Sequence, residues 1–468
     1  MHLDAAFLHN AVQDAQIVQG QLDGVVTFSL DSRTINESQL FIPVKGEKVD
    51  GHDFIELALE KGKGAFVARD VFASLSSVFK KFPFKVVIVV DNPQEALFKI
   101  AAAWRAQFRF PIIAVTGSVG KTSTKLLVAA IFKAAGKNCF ASTGNQNTLF
   151  GVALNIAQLT HEHESAVFEV GISKPGEMAK IVQLLQPTTA IITCIGHSHM
   201  EGLGSLAGIA AEKRDIFKFF KEDSIGIING DQPLLNAVGY AHPVIRFGQK
   251  TTNQVQARKI KVNDESISCI LKIYGQRYDV TVPGNHQGQL NNILAAAAVT
   301  HYLGVDPLII VDTIQKPLVK ERRFQSCKLK DHKGILIDDA YNASPESMKA
   351  ALLALQSLKS SGKKIAVLGD MLELGGTSAF WHRQIGRFLR KITTLEHLIL
   401  VGNEVHWTHK TAPVGLDIKI VPSWKEAVDT LRETLKDESV VLVKGSNGVK
   451  LSFLVKEFVD TEQSVKNA

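Results

Sequence analysis

Apolar runs bounded by turn residues recur along the chain at spacings that suit alternating strands and helices. Residues 85–90, KVVIVV, read as a strand buried on both faces. Asp91, Asn92 and Pro93 then signal a turn before an Ala-rich helical pattern near 94–107, which places a domain boundary here. From 111 onward, apolar runs at 111–115, 166–170, 189–195 and 225–229 are separated by helical segments, the rhythm of a parallel sheet with crossover helices. Between 254 and 283 the pattern turns to alternating strands such as ISCILKIYG and QRYDVTV, which predicts a hairpin excursion before a helix near 291–303. After 317 a second strand–helix alternation begins, with strands expected at about 334–338, 364–368, 397–401, 417–421 and 439–443, as in a separate doubly wound domain. The expected architecture is α/β in three domains: residues 1–92, 93–316 and 317–468, with the polar tail after Asp460 frayed.

Composition narrows the function classes. A chain of 468 residues, 45% hydrophobic, has material for several cores, and no stretch approaches a membrane span. The start, MHLDAAFLHN, lacks a basic region followed by an apolar core, so a cytoplasmic location is expected. Cys139, Cys194, Cys269 and Cys327 are scattered without paired spacing, which predicts reduced packing residues rather than a zinc knuckle or disulfide framework. The net charge of +7 is spread along the chain with no dense basic tract or interleaved aromatics. The charge could attract nucleic acid, but polyanionic small molecules fit equally well as partners.

The chemistry concentrates at 112–125, IIAVTGSVGKTSTK, where an apolar strand breaks into a Gly-rich loop and leads into a helix. Gly117, Ser118 and Gly120 allow backbone N–H groups to turn toward an anion. Lys121 adds a fixed positive charge, and Thr122, followed by Ser123, offers a hydroxyl to Mg²⁺. ATP or GTP is the natural ligand. Only Ser118 and Val119 separate Gly117 from Gly120, so the usual four-residue spacing fails and a shorter form of the loop is implied. Glu169 ends the strand AVFEV at the carboxyl edge of the expected sheet, where open parallel sheets bind ligands and a carboxylate would suit Mg²⁺. His197 and His199 follow another strand; spacing alone leaves a metal ligand and an ordinary loop residue both open.

The segments TGSVGKTS, EVGISKPGE, HSHMEGLGSLAGIAAEKRDIF, DDAYNASPESM, VLGDMLELG and VLVKGSNGVK occur in this order and resemble the Mur ligases over nearly the whole chain, including LDSRTINESQLFIPVKGEKVDGHDF near the N-terminus. DDAYNASPESM and LGDMLELG are similar to the branch that adds D-alanyl-D-alanine to UDP-N-acetylmuramoyl-tripeptide in peptidoglycan precursor synthesis. The resemblance implies a UDP-holding N-terminal domain, a central P-loop-like ATPase domain and a C-terminal Rossmann-like domain that closes over ATP and the incoming amine. Ser32, Arg33, Lys45 and Gly46 would then contact uridine diphosphate, with Asn145 and Asn147 in the substrate set. Lys121 would meet the ATP phosphates, Thr122 and Glu169 one Mg²⁺, and His199 with Glu169 a second. Lys213 in AAEKRDIF would match a lysine carried as a carbamate, an anionic oxygen ligand made from a cation. Asn292 would face adenine, Arg322 a phosphate at the domain joint and Asp339 the nucleotide. Asn342, Asp370, Glu373 and His382 would lie near the dipeptide, although an acid following a strand, as Asp370 does, also suits a helix cap. A monomer is expected.

Several positions depart from that pattern. Cys194 stands for an asparagine, Thr148 for a second adjacent asparagine and Glu321 for a glycine, while the longer spacing from Gly284 leaves both Asn291 and Asn292 open for adenine. The competing readings are a Mur enzyme adding another amino acid, a folylpolyglutamate-synthase-like protein and an ATP-driven nucleic-acid binder. DDAYNASPESM argues against the first two, and the missing basic groove against the third.

Overall fold

The computed structural model describes residues 1–46, 48–263, 266–284, 288–317 and 324–459, and the following statements concern those residues. Three sheets form in chain order. In the first, Val86–Val90 lies between antiparallel Gln16–Gln19 and parallel Gly64–Ala68, followed by parallel Gln39–Phe41 and Thr27–Ser29. Val86–Val90 is buried along its length because neighbours cover both faces of the strand. Asn92 caps the helix Pro93–Arg105 by accepting from Gln94 N and Glu95 N, with Pro93 pre-set for its first turn.

The central sheet has nine strands, with Ile112–Thr116 between Ser165–Glu169 and Thr189–Ile192. Beyond these lie Cys139–Ala141 on one side and Ile225–Asn229 and Val244–Gly248 on the other, all parallel. The short strands Cys139–Ala141 and Val244–Gly248 carry too little periodicity to be read from sequence. The predicted hairpin excursion is instead an extension of this sheet. Val255–Val262 pairs in parallel with Val244–Gly248, and Ser266–Ile273 and Gln276–Pro283 continue antiparallel from it. Ser266–Ile273 alternates half-buried and buried positions, as expected for a strand with one face on the core.

The third sheet runs Gln325–Lys328, Ile335–Asp339, Val440–Lys444, Lys364–Gly369, His397–Val401, Asp417–Val421, parallel except for the first strand. All five expected C-terminal strands form within a residue or two of their predicted places. The central and C-terminal sheets turn their carboxyl edges toward a shared cavity of about 1250 Å³. No helix among the described residues is long and apolar enough to cross a membrane.

Candidate active site

The phosphate loop forms because two glycines take conformations closed to other residues. Gly117 has φ +147°, and a Cβ there would lie 1.9 Å from Thr193 Oγ1; Gly120 has φ +91°, and a Cβ there would lie 2.1 Å from Asn292 Oδ1. The helix Lys121–Ala134 starts immediately afterwards, its positive dipole end facing the cavity. Lys121 Nζ donates to Gly117 O at 2.8 Å, which folds the ammonium back over the loop.

The run 189–195 stops being strand at Ile192 because the next residues serve the loop. Ser118 N donates to Cys194 O at 2.9 Å, Ser118 Oγ to Gly196 O at 2.9 Å, and Thr193 Oγ1 to Val119 O at 2.5 Å. Cys194, in place of the expected asparagine, donates Sγ–H to Val119 O at 3.4 Å, and burial raises its thiol pKa, so it packs as a thiol beneath the loop.

Glu169 is buried at the end of its strand. Its Oε2 accepts from Thr122 Oγ1 at 2.5 Å and its Oε1 from Asn147 Nδ2 at 2.8 Å. Asn147 also donates to Asn145 Oδ1 at 2.7 Å, and both asparagines line the cavity. Lys125, which sequence reasoning passed over, organises this corner: it is buried, and Nζ donates to Ser142 O at 2.5 Å and Gly144 O at 3.2 Å, fixing the asparagine loop. Its place one helical turn beyond Lys121 was the available signal. Thr148 caps the helix Leu149–Ile156, a role that suits its hydroxyl. Between Asn291 and Asn292, the latter is buried against the phosphate loop, with Thr124 Oγ1 donating to its Oδ1 at 3.5 Å.

Lys213 is completely buried, and Nζ has no hydrogen-bond partner among the described residues. Burial first, and then the nearby Lys121 charge, push its pKa down to about 7. A half-neutral, unpartnered buried amine is the chemical state that carbamylation by CO₂ requires, so Lys213 fits that modification. The Thr122 hydroxyl and Glu169 carboxylate fit a hard cation such as Mg²⁺ in donor type. The second metal expected from Glu169 with His199 has less to hold it: no group of three or more His, Cys, Asp or Glu side chains converges among the described residues. His199 Nδ1 instead meets Glu373 Oε2 of the C-terminal domain at 2.5 Å, a contact whose hydrogen bond lowers the Glu373 pKa.

On the C-terminal side, Asp339 and Asn342 line the cavity and share Lys444. Its Nζ lies 2.7 Å from Asp339 Oδ2 and donates to Asn342 O at 2.9 Å. Lys444 stands in the quoted VLVKGSNGVK segment but draws no attention there, since a strand-end lysine is ordinarily solvated. Asp370 and His382 do not line the cavity. Asp370 accepts from Asn403 N and Val405 N, both at 2.9 Å, and His382 Nε2 accepts from Met371 N at 3.1 Å, so the two buttress the 370–374 segment from behind. A second interdomain pair, His197 Nδ1 with Glu346, also escaped sequence reading, because its partners are 149 positions apart.

Ser32, Arg33, Lys45 and Gly46 lie outside the shared cavity. Ser32 is buried, Arg33 chelates Asp31 with an exposed guanidinium, and Lys45 and Gly46 shape an exposed turn closed by Gly46 N to Val49 O at 2.9 Å. Arg322 and Glu321 lie outside the described residues.

With this geometry in hand, comparisons with known proteins are specific. Residues 25–105, 115–300 and 322–447 match the families described as "Mur ligase family, catalytic domain", "Mur ligase middle domain" and "Mur ligase, glutamate ligase domain". The chain is 33% identical to the UDP-N-acetylmuramoyl-tripeptide--D-alanyl-D-alanine ligase of Bacillus subtilis (strain 168) over 98% of each protein. It is 32% identical to the protein of the same name from Escherichia coli (strain K12) over 96% of each. Among solved structures it is similar to MurF from Acinetobacter baumannii, with TM-score 0.84, 26% identity and 98% of each chain covered. It is likewise similar to MurF ligase from Thermotoga maritima in complex with ADP, with TM-score 0.77, 28% identity and coverage of 95% of this chain and 99% of that one.

Proposed function

The chain belongs to the Mur ligase family, and from that premise we propose that it joins D-alanyl-D-alanine to UDP-N-acetylmuramoyl-tripeptide at the expense of ATP, in peptidoglycan precursor synthesis. The observation that carries this reading is one cavity with a phosphate loop on its central-domain wall and the DDAYNASPESM segment on its C-terminal wall. Residues 1–92, 93–316 and 317–468 serve as UDP-binding, ATP-binding and closing domains, with Ser32, Arg33, Lys45 and Gly46 at the uridine diphosphate. The protein acts as a monomer in the cytoplasm.

The acceptor's terminal carboxylate attacks the γ-phosphorus of ATP, forming an acyl phosphate as ADP leaves. The dipeptide amine then attacks the acyl carbon, phosphate departs, and the amine's proton is lost as the amide forms. Lys121 and the first turn of its helix offset charge on the transferring phosphoryl group, and Asn292 closes the adenine side. Thr122 and Glu169 would hold one Mg²⁺, and His199 with Glu169 a second, with carbamylated Lys213 as a further anionic ligand; such ions supply neutralisation of the triphosphate charge. No side-chain nucleophile is needed. Positioning and exclusion of water from the acyl phosphate remain for the protein, tasks suited to a cavity closed by a second domain, with Asp339 toward the nucleotide and Arg322 assigned to a phosphate by the family resemblance alone.

Mass spectrometry of products from ATP, D-alanyl-D-alanine and a panel of UDP-muramoyl tripeptides carrying lysine or diaminopimelate tests the proposal. The expected product is the corresponding UDP-pentapeptide with one ADP per amide; ATP hydrolysis without amide formation would overturn it.

A further inference from the structure

His199 and Glu373 come from different domains, yet both adopt a left-handed backbone, each with φ +63°, and they face one another. Non-glycine residues hold that conformation only where the surroundings impose it, and paired instances across an interface point to a functional contact. The surroundings do impose it. Glu201 N donates to Glu373 O at 3.0 Å, docking the two segments backbone to backbone. Leu372 N donates to Ser446 Oγ at 2.9 Å, while His382 and Asp370 brace the same loop from the far side. Gly375, with φ +52°, packs so closely on Glu201 that a Cβ would lie 3.1 Å from its Cα.

We propose that Glu373 is a positioning residue for His199, an interdomain carboxylate that fixes the imidazole only when the C-terminal domain is shut on the central one. The proposal rests on the reading of this chain as a Mur ligase with His199 toward a divalent cation. An imidazole that ligates through one nitrogen ordinarily donates its other N–H to a carboxylate or carbonyl, which fixes ring orientation and raises basicity. With Nδ1 directed at Glu373, Nε2 is the nitrogen left for a ligand. Among the described residues, the central domain offers Nδ1 no carboxylate, only Ser173 Oγ at 3.5 Å. Completion of the site and closure of the domains thus become one event. Glu373 accordingly acts on the central-domain histidine, and its contribution to the dipeptide is indirect.

Mn²⁺ binding, followed by electron paramagnetic resonance in the presence of a non-hydrolysable ATP analogue, distinguishes these roles in wild type, Glu373→Ala and Glu373→Gln. Glu373 is half exposed, so both variants should fold. Glu373→Ala is expected to weaken the second class of Mn²⁺ sites by roughly 10–100-fold and to lower kcat with little change in KM for D-alanyl-D-alanine. Glu373→Gln, whose amide oxygen can still accept from Nδ1–H, should recover part of the loss. Wild-type Mn²⁺ affinity in Glu373→Ala, or a raised dipeptide KM at unchanged kcat, would overturn the proposal. Product formation by wild type is measured alongside; its failure would count against the ligase reading, while the Mn²⁺ comparison still decides the role of Glu373.

Discussion

The central and C-terminal domains each bury a lysine near the shared cavity, and they treat it in opposite ways. Lys213 is fully buried without a hydrogen-bond partner among the described residues, and its pKa falls to about 7. Lys444, equally buried, meets Asp339 at 2.7 Å and the Asn342 carbonyl at 2.9 Å. A buried charge that has a partner holds structure together. A buried amine with none costs folding free energy, and a protein retains it where the neutral amine has chemistry to perform. The C-terminal lysine is therefore architecture for the walls that carry Asp339 and Asn342, whereas the central lysine is left in the state that the proposed carbamylation would need.

The largest expected effect breaks the paired lysine. Lys444→Met leaves Asp339 with Phe324 N as its remaining donor among the described residues, and should cost about 3–5 kcal/mol in chemical denaturation, with Lys444→Met/Asp339→Asn recovering much of it. An unchanged midpoint in the single variant would erase the contrast. Lys121→Ala tests the half-buried lysine of the phosphate loop. It should fold normally yet lose about 3–4 kcal/mol of transition-state stabilisation, read as a fall of 10²-fold or more in kcat. Near-wild-type turnover would remove Lys121 from the phosphate site.

Lys213→Met should be inactive and also more stable than wild type in CO₂-depleted buffer, by about 4 kcal/mol near pH 7. The sign follows from a pKa of 10.5 unfolded and about 7 folded. Between those values the unfolded chain binds more protons, so the burden on wild type is complete below pH 7 and fades as pH rises toward 10.5. The stability gap between variant and wild type should close over that interval, and bicarbonate should stabilise wild type alone. A pH-independent gap would show that Lys213 titrates normally. Smallest in stability is Arg33→Ala: the guanidinium is exposed, so thermal melting should not change, while KM for the UDP-peptide rises several-fold. An unchanged KM would take Arg33 out of the uridine diphosphate site.

What the sequence determined alone is what short-range chemistry can encode. The phosphate loop was legible because Gly117, Gly120, Lys121 and Thr122 act through backbone conformation and charge within six residues. Glu169 was legible because a charge ending an apolar run must sit at a sheet's edge. The positions of the longer parallel strands likewise followed from hydrophobic runs that two-sided burial explains. The meander at 255–283 showed as strands, but its membership of the central sheet depended on a pairing with Val244–Gly248 that no local pattern announces. Lys125, Lys444 and the His197–Glu346 and His199–Glu373 pairs were decided by tertiary structure for the same reason. A lysine or glutamate reads as solvated in sequence until folding brings a carbonyl, a carboxylate or an imidazole from a distant segment within 3 Å of it, and whether it then becomes architecture or chemistry depends on whether that partner arrives.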